Sequence, residues 1–462
     1  MCKTQKFSVN YFKKEERPIS DYFIIGADAA GLSAAVQIKR EIPDASLKVI
    51  NKGKIISYAA CGIPYVLSGD VESMEKLIHY NPESIKKNRG ISVEIQKEAV
   101  NIDPEEKTIE IKNLKTGDIY KENYKKLLIA TGSEPNRLPF INYEDQGIFK
   151  LHNLEDLKKI IAFIKDFNPQ RAAVIGAGNI GLELVEALYS REIEVILFEV
   201  FPEPAMLWPP LVRKAISKKI KEKNINFIGN THVKEVNKET KGFIIKTDKE
   251  SYQVDMVFSV VGTKPATEFC KDKLKTNKNN AIIINRKGMT SEPDIYAAGD
   301  CATVYNKILD RSVYFPLGST ANKMGRIAGL NMAGKETLFP GIVGTQIFKF
   351  LELSLAKTGL SLEEAQKEGI KAEASSSKRL DKSGYYPGAK FVKAQTVYDK
   401  SSGRIWGASI VSEGNAAQFI DPLAVAVYAE MNVEELGWFD AAYSPPTSPV
   451  WNSWVSAALK HK

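Results

Sequence analysis

The segment Ser57–Tyr58–Ala59–Ala60–Cys61–Gly62–Ile63–Pro64–Tyr65 carries one cysteine, with no second cysteine at CxxC or CxxxxC spacing. A thiolate is both a nucleophile and a redox centre. Without a resolving cysteine beside it, Cys61 must react with a group from outside the segment, such as a small thiol, a sulfur chain or oxygen. The alternative is a buried, inert cysteine that packs as a small hydrophobe. The surroundings decide between the two, and the segment follows a glycine-rich turn by about 30 residues.

That turn belongs to the first of two units able to hold a dinucleotide. Tyr22–Phe23–Ile24–Ile25 reads as a short apolar strand, followed by Gly26–Ala27–Asp28–Ala29–Ala30–Gly31 and the helical spacing of Leu32–Arg40. Leu47–Lys48–Val49–Ile50 is the next strand, which completes a βαβ start with a phosphate site expected at the helix N-terminus. Asp28 replaces the middle glycine, and Asn51 stands where an acid usually holds a ribose. The second unit is complete. Ala172–Ile175 leads into Gly176–Ala177–Gly178–Asn179–Ile180–Gly181, then a helix through Leu188, then the strand Glu194–Phe198 ending at Glu199. Glu199 can accept from ribose hydroxyls and would repel a 2′-phosphate, which favours NADH over NADPH.

Two further strands end in small loops, Lys126–Gly132 and Asp294–Asp300. Glycine lets backbone approach a cofactor closely, and Asp300 can accept from its hydroxyls. Two dinucleotide units and two such loops point to one bound flavin and one visiting nicotinamide. After Gly334 the chain changes character. Lys390–Tyr398 alternates and turns at Ser402–Gly403 into Ile405–Val411, a hairpin. Tyr443–Ser444–Pro445–Pro446–Thr447–Ser448–Pro449–Val450–Trp451 reads either as a stiff surface loop or as a loop packed into a partner's site.

With 462 residues the chain is too long for one core, and no apolar run reaches the roughly 18 residues of a membrane span. The first twenty residues are charged, lack an apolar core and read as a mobile tail. Cys2, Cys61, Cys270 and Cys301 are too few and too scattered for a disulfide framework or a metal site, so a reducing cytoplasm is expected. The net charge of +8 is spread among acids, its densest run from Arg213 to Lys223 reads as a solvated helix face, and nothing suggests a nucleic-acid platform.

These motifs together resemble the single-cysteine flavoprotein disulfide reductases, above all coenzyme A-disulfide reductase and the coenzyme A-dependent persulfide and sulfur reductases. The similarity runs from about Tyr22 to Leu459 and is carried by Ser57–Tyr65, Gly176–Glu183, Val261–Pro265, Ile295–Asp300, Ser319–Arg326, Tyr385–Gly388 and Tyr443–Pro446. It implies an α/β fold with two Rossmann-like domains of the glutathione-reductase kind and an α+β C-terminal dimerisation domain. An FAD domain (21–133 and 261–335) would be split around an NAD domain (134–260), with dimerisation by 336–462 after the tail 1–20.

The implied FAD contacts are Gly26, Ala29, Ala30, Gly31, Asn51, Lys52, Val100, Thr131, Gly132 and Asp300. Those for NADH, with NADPH the second candidate, are Gly176, Gly178, Asn179, Ile180, Gly181, Glu199 and Gly262. Coenzyme A would meet Ser33, Gln37, Arg40, Ser57 and Arg89, where cations suit phosphates. Cys61 would cycle through a mixed disulfide with coenzyme A, assisted by Tyr385 and Tyr443 of the other subunit of a homodimer with shared sites. Tyr386 is the register alternative to Tyr385. A phenol can protonate a departing thiolate. Related NADH oxidases and peroxidases place a histidine in the first turn, where this chain has Ala29, and Asn179 replaces a common tyrosine beside the flavin. An oxygen-reducing NADH oxidase and a flavoprotein redox sensor or interaction module are the alternative readings.

Overall fold

Both glycine turns sit at the ends of buried parallel strands. In the computed structural model, which describes residues 20–461, the first sheet runs Ser92–Ile95, Leu47–Asn51, Ser20–Ile25, Ile119–Ile129. Those neighbours pair in parallel, and Ile295–Ala297 joins the far strand, also in parallel. Thr108–Asn113 and Lys97–Asp103 extend the sheet antiparallel. The C-terminal ends of the central strands are apolar and buried, with Phe23, Ile24, Ile50, Leu127, Leu128 and Ile129 almost free of solvent contact. The helix Ala29–Glu41 leaves the first turn and packs along Gly318–Met332. The tail and Cys2 lie outside the described residues.

The chain leaves the first sheet at Ile129 and returns to it at Ile295. In between it builds a second, all-parallel sheet in the order Asn226–Ile228, Glu194–Phe198, Arg171–Ile175, Met256–Ser259, Ile148–Phe149. A small antiparallel sheet, Val233–Lys238, Phe243–Thr247 and Ser251–Val254, is attached to it. Exit and return run side by side as an antiparallel ribbon, Ser133–Pro135 against Thr263–Pro265.

The last part of the chain forms a five-stranded antiparallel sheet: Gln346–Phe350, Leu353–Gly359, Ile405–Ser412, Phe391–Asp399, Ala372–Leu380. The predicted hairpin is present. Its turn is closed by Gly403 donating to the Asp399 carbonyl at 2.9 Å, and the Asp399 carboxylate gathers the N–H groups of Ser401 and Ser402. Helices Ala417–Tyr428 and Ser453–Ala458 cover this sheet. The arrangement is the expected α/β fold with two Rossmann-like units and a C-terminal α+β unit.

The basic run departs from its reading as a solvated face. It lies on the helix Pro210–Glu222, where Lys214, Lys218 and Lys221 are exposed, but Arg213 is only 7% exposed. Arg213 falls on the inner stripe with Val212, Ile216 and Ile220, and Glu203 (3.0 Å) and Glu363 (3.2 Å) neutralise it there. Among the described residues no helix is long and apolar enough to cross a membrane, and no group of three metal-ligating side chains occurs.

Candidate functional site

The cysteine segment is fastened on two sides. Ser57 adopts a left-handed φ of 51°, uncommon for a residue with a Cβ. Its N–H donates to the Ala27 carbonyl in the first glycine turn (3.0 Å), and its carbonyl accepts from His79 (2.8 Å). Ala59 N–H donates to the Leu77 carbonyl (2.9 Å). Cys61 then sits in a single 3-10 turn, Ala60–Gly62, directly before the helix Ile63–Ser68, which packs on Asn179–Tyr189 behind the second glycine turn. One short stretch of backbone thus spans both turns and presents an exposed thiol, while the free thiols of Cys270 and Cys301 are buried.

The groups around Cys61 are acidic. Burial among protein atoms, then Glu183 and then Asp300, raises its thiol above the usual cysteine value. Glu183 is itself pushed up to about 7, chiefly by burial and then by Glu186. Asp300 is raised by burial, and its protein partner is Ser133 Oγ at 3.4 Å. A half-buried carboxyl with one long hydrogen bond keeps acceptor capacity for a hydroxyl-bearing ligand. Sequence reasoning alone misses Glu183. Its position two residues past Gly181 is visible, but its approach to Cys61 depends on the packing of two helices.

The first turn gathers most of the residues expected to meet FAD. Gly26 N–H donates to the Ile50 carbonyl (2.8 Å), and Ala29, Ala30 and Gly31 open the helix. The Thr131 hydroxyl donates to the Ala266 carbonyl (2.7 Å), Gly132 turns with φ 71°, and the Gly299–Asp300 corner lies against Ala30. Lys52 pairs with Glu98 (2.8 Å), and Val100 sits at a register shift in its strand. Asn51 is tied into the turn itself. Its oxygen accepts from Ala27 N–H (3.1 Å), and its NH2 donates to the carbonyls of Gly53 and Ile55, so the amide mainly organises the turn. Asp28, at the middle-glycine position, is pushed up to about 6 by burial, and the main-chain N–H groups of Ser57 and Tyr58 oppose that rise.

The second turn repeats the geometry with a charge in place of the amide. Glu199 accepts from Ala177 N–H (2.8 Å) with one oxygen and from Val200 (2.8 Å) and Phe201 (3.2 Å) with the other. Gly176 has φ 107°, and a Cβ there would lie 2.6 Å from the Val260 carbonyl oxygen, so packing alone demands glycine. Gly178 is different, because a Cβ there would meet nothing within 4 Å. The protein does not need that glycine, whereas a pyrophosphate lying on the helix N-terminus would. Asn179, Ile180 and Gly181 open the helix, and Gly262 accepts from Asn136 N–H (3.0 Å) beside the turn.

The residues expected to meet coenzyme A are more dispersed. Ser33 donates to Asn322 (2.7 Å) and Gln37 is buried with its amide on Glu41 (2.8 Å), whereas Arg40 and Arg89 stand exposed at helix ends. Tyr385 and Tyr443 are 77% and 51% exposed. Their loops meet through Ser383 N–H on the Pro445 carbonyl (3.1 Å), and Trp438, Phe439 and Trp451 add exposed apolar surface to the same part of the chain.

Two dinucleotide turns joined by a thiol-bearing segment define the class: a nucleotide-dependent oxidoreductase of the two-turn α/β type. The pattern of the pyridine nucleotide-disulphide oxidoreductases matches residues 20–325, and that of their dimerisation domain matches residues 345–453. The chain belongs to the pyridine nucleotide-disulphide oxidoreductase family. It is 32% identical to an NADH oxidase of Methanocaldococcus jannaschii, covering 92% of this chain and 95% of that protein. It is 33% identical to a coenzyme A-dependent NAD(P)H sulfur oxidoreductase of Pyrococcus furiosus, covering 94% and 97%. A solved NAD-dependent persulfide reductase from A. fulgidus superposes with a TM-score of 0.91 at 32% identity, covering 95% of this chain and 82% of that one.

Proposed function

We propose that this chain is an FAD-dependent, homodimeric enzyme that uses NADH to reduce coenzyme A disulfide, or persulfide and polysulfide sulfur carried on coenzyme A, through Cys61. The observation that carries the reading is the one thiol exposed among the described residues, on a backbone stretch fastened to one glycine turn and packed, through its helix, behind the other. The flavin-side residues fit a dinucleotide, since the half-buried Asp300 carboxyl retains acceptor capacity beside the first turn. Bound FAD would relay two electrons from NADH to sulfur.

The Cys61 thiolate attacks a disulfide sulfur of the substrate, which forms a mixed disulfide and releases one coenzyme A thiolate. Two electrons then cleave the mixed disulfide, returning Cys61 to the thiolate and freeing the second coenzyme A. Tyr443 and Tyr385 of the partner chain would supply the proton for the leaving thiolate. Arg40, Arg89, Ser57, Ser33 and Gln37 are the proposed coenzyme A contacts. Free thiols at Cys61, Cys270 and Cys301 suit a reducing cytoplasm.

An oxygen-reducing NADH oxidase is the second reading, favoured by the name of the Methanocaldococcus jannaschii relative. The test is anaerobic NADH consumption against coenzyme A disulfide, coenzyme A persulfide and polysulfide, with oxygen as a separate arm. The Cys61→Ser variant should retain flavin and its reduction by NADH while losing sulfur turnover. Undiminished turnover by Cys61→Ser would refute the mechanism. Turnover with oxygen alone would favour the oxidase, and no steady turnover with any acceptor would favour a sensor.

A further inference from the structure

The loop between Glu199 and the helix Pro210–Glu222 lies over the second glycine turn and is fastened to it. Ala205 N–H donates to the Ala177 carbonyl at 2.9 Å, and the Trp208 indole N–H donates to Asn179 Oδ1 at 2.7 Å. From the other side, Arg213 Nη1 reaches the carbonyls of Met206 (3.4 Å) and Trp208 (3.3 Å). Trp208 is 4% exposed, and its ring packs against Phe348 with centroids 4.8 Å apart. An indole N–H can only donate, so the oxygen of the Asn179 amide must face Trp208 and its NH2 group must face away. That NH2 makes no hydrogen bond among the described residues. Asn179 is the first residue of its helix and adjoins Gly178, where added side-chain volume would meet no protein atom.

We propose that Trp208 is a positioning residue for the nicotinamide dinucleotide. It locks the Asn179 amide in the orientation that presents its NH2 to an oxygen of the ligand, on the carboxamide or on the pyrophosphate. Arg213 holds Trp208 in place by gripping two carbonyls of the loop, and Glu203 and Glu363 balance its charge. The inference rests on reading the second turn as the NADH site and is independent of the sulfur acceptor.

The test uses the flavin-loaded dimer and NADH-driven reduction of ferricyanide, an assay that needs neither Cys61 nor a sulfur substrate. If sulfur reduction is not the natural activity, this readout is unaffected. Trp208→Phe retains the ring packing and loses the donor. Asn179→Ala removes the NH2 without adding a charge beside the dinucleotide. Each should raise KM for NADH about five- to tenfold, the worth of one hydrogen bond, with little change in kcat. The double variant Trp208→Phe, Asn179→Ala should be no worse than Asn179→Ala alone, because one interaction acts through the other. ADP-ribose inhibition assigns the ligand atom: a parallel loss points to the pyrophosphate, and unchanged inhibition points to the carboxamide. An unchanged KM in Asn179→Ala, or strictly additive effects in the double variant, would overturn the proposal. Thermal melting of each variant identifies a KM change caused by a loosened loop, and Asn179→Ala, at a half-buried position, keeps the test open if Trp208→Phe melts early.

Discussion

Replacing Glu183 by Gln should make Cys61 more reactive, and only above neutral pH. Glu183 raises the thiol's proton affinity by like charge, and it titrates at about 7 because it is buried beside Glu186. Below pH 6 Glu183 is neutral in the wild type, so both proteins should alkylate at the same rate. By pH 8 it is about nine-tenths ionised, and its charge then opposes thiolate formation. A like charge beside a thiol that solvent reaches opposes its ionisation, and an exposed charge pair is worth about two- to fivefold in such an equilibrium. The Gln-to-wild-type ratio of iodoacetamide alkylation rates at Cys61, followed by mass spectrometry, should therefore rise from about one at pH 6 to about two to five at pH 8.5. The wild-type profile should also bend near pH 7, and the variant's should not. The sign for stability follows. Between pH 4.5 and 7 the folded protein keeps a proton that the unfolded chain releases, so Glu183 costs stability as pH rises through that window and Gln removes the loss. A flat ratio across pH, or a slower variant at pH 8.5, would refute the electrostatic link between Glu183 and Cys61.

Glu199→Gln should narrow the preference for NADH over NADPH by about five- to tenfold in kcat/KM, since a neutral amide no longer repels a 2′-phosphate. Gly178→Ala should melt with the wild type yet bind NADH weakly, whereas Gly176→Ala should lower the melting temperature, and calorimetry with NADH titration separates the two. A Cys61→Ser subunit and a Tyr385→Phe, Tyr443→Phe subunit should complement one another after subunit exchange. An inactive mixture containing verified heterodimers would defeat the shared-site reading.

The parts of the site that repeat along the chain are legible in the order of its residues. Strand, glycine turn, helix and strand are local patterns, so Gly26–Gly31 and Gly176–Gly181 announce their geometry directly. The hairpin around Ser402–Gly403 is equally local. What escapes such a reading depends on contacts between distant segments. Glu183 reaches Cys61 across 122 positions (183 − 61) because one helix packs on another. Arg213 resembles one more cation in a charged run, but helical periodicity places it on the buried stripe, where carboxylates from two other segments meet it. Asn51 occupies the ribose position, yet its amide is engaged by the turn itself.

The antiparallel ribbon of Ser133–Pro135 and Thr263–Pro265 has a consequence for how the chain is made. The first sheet lacks the strand Ile295–Ala297 until synthesis has passed through the whole second sheet, because that strand pairs with Leu127–Ile129 from 168 positions away (295 − 127). An open chain of that length would resist closure, though the entropic cost grows only with the logarithm of its length. An inserted unit that folds first removes most of the cost by bringing its two ends together at the ribbon. At about 5–20 residues per second the ribosome gives the insert many seconds to do so before the closing strand emerges. The order of assembly is then the reverse of the order in sequence, with the inner unit maturing first while the unit that begins the chain waits for its last strand. Cleavage within the insert during synthesis would strand the first sheet with an open edge, a template for pairing with other chains. A version of the chain with residues 136–262 replaced by a short turn would test whether the ribbon alone is enough to close it.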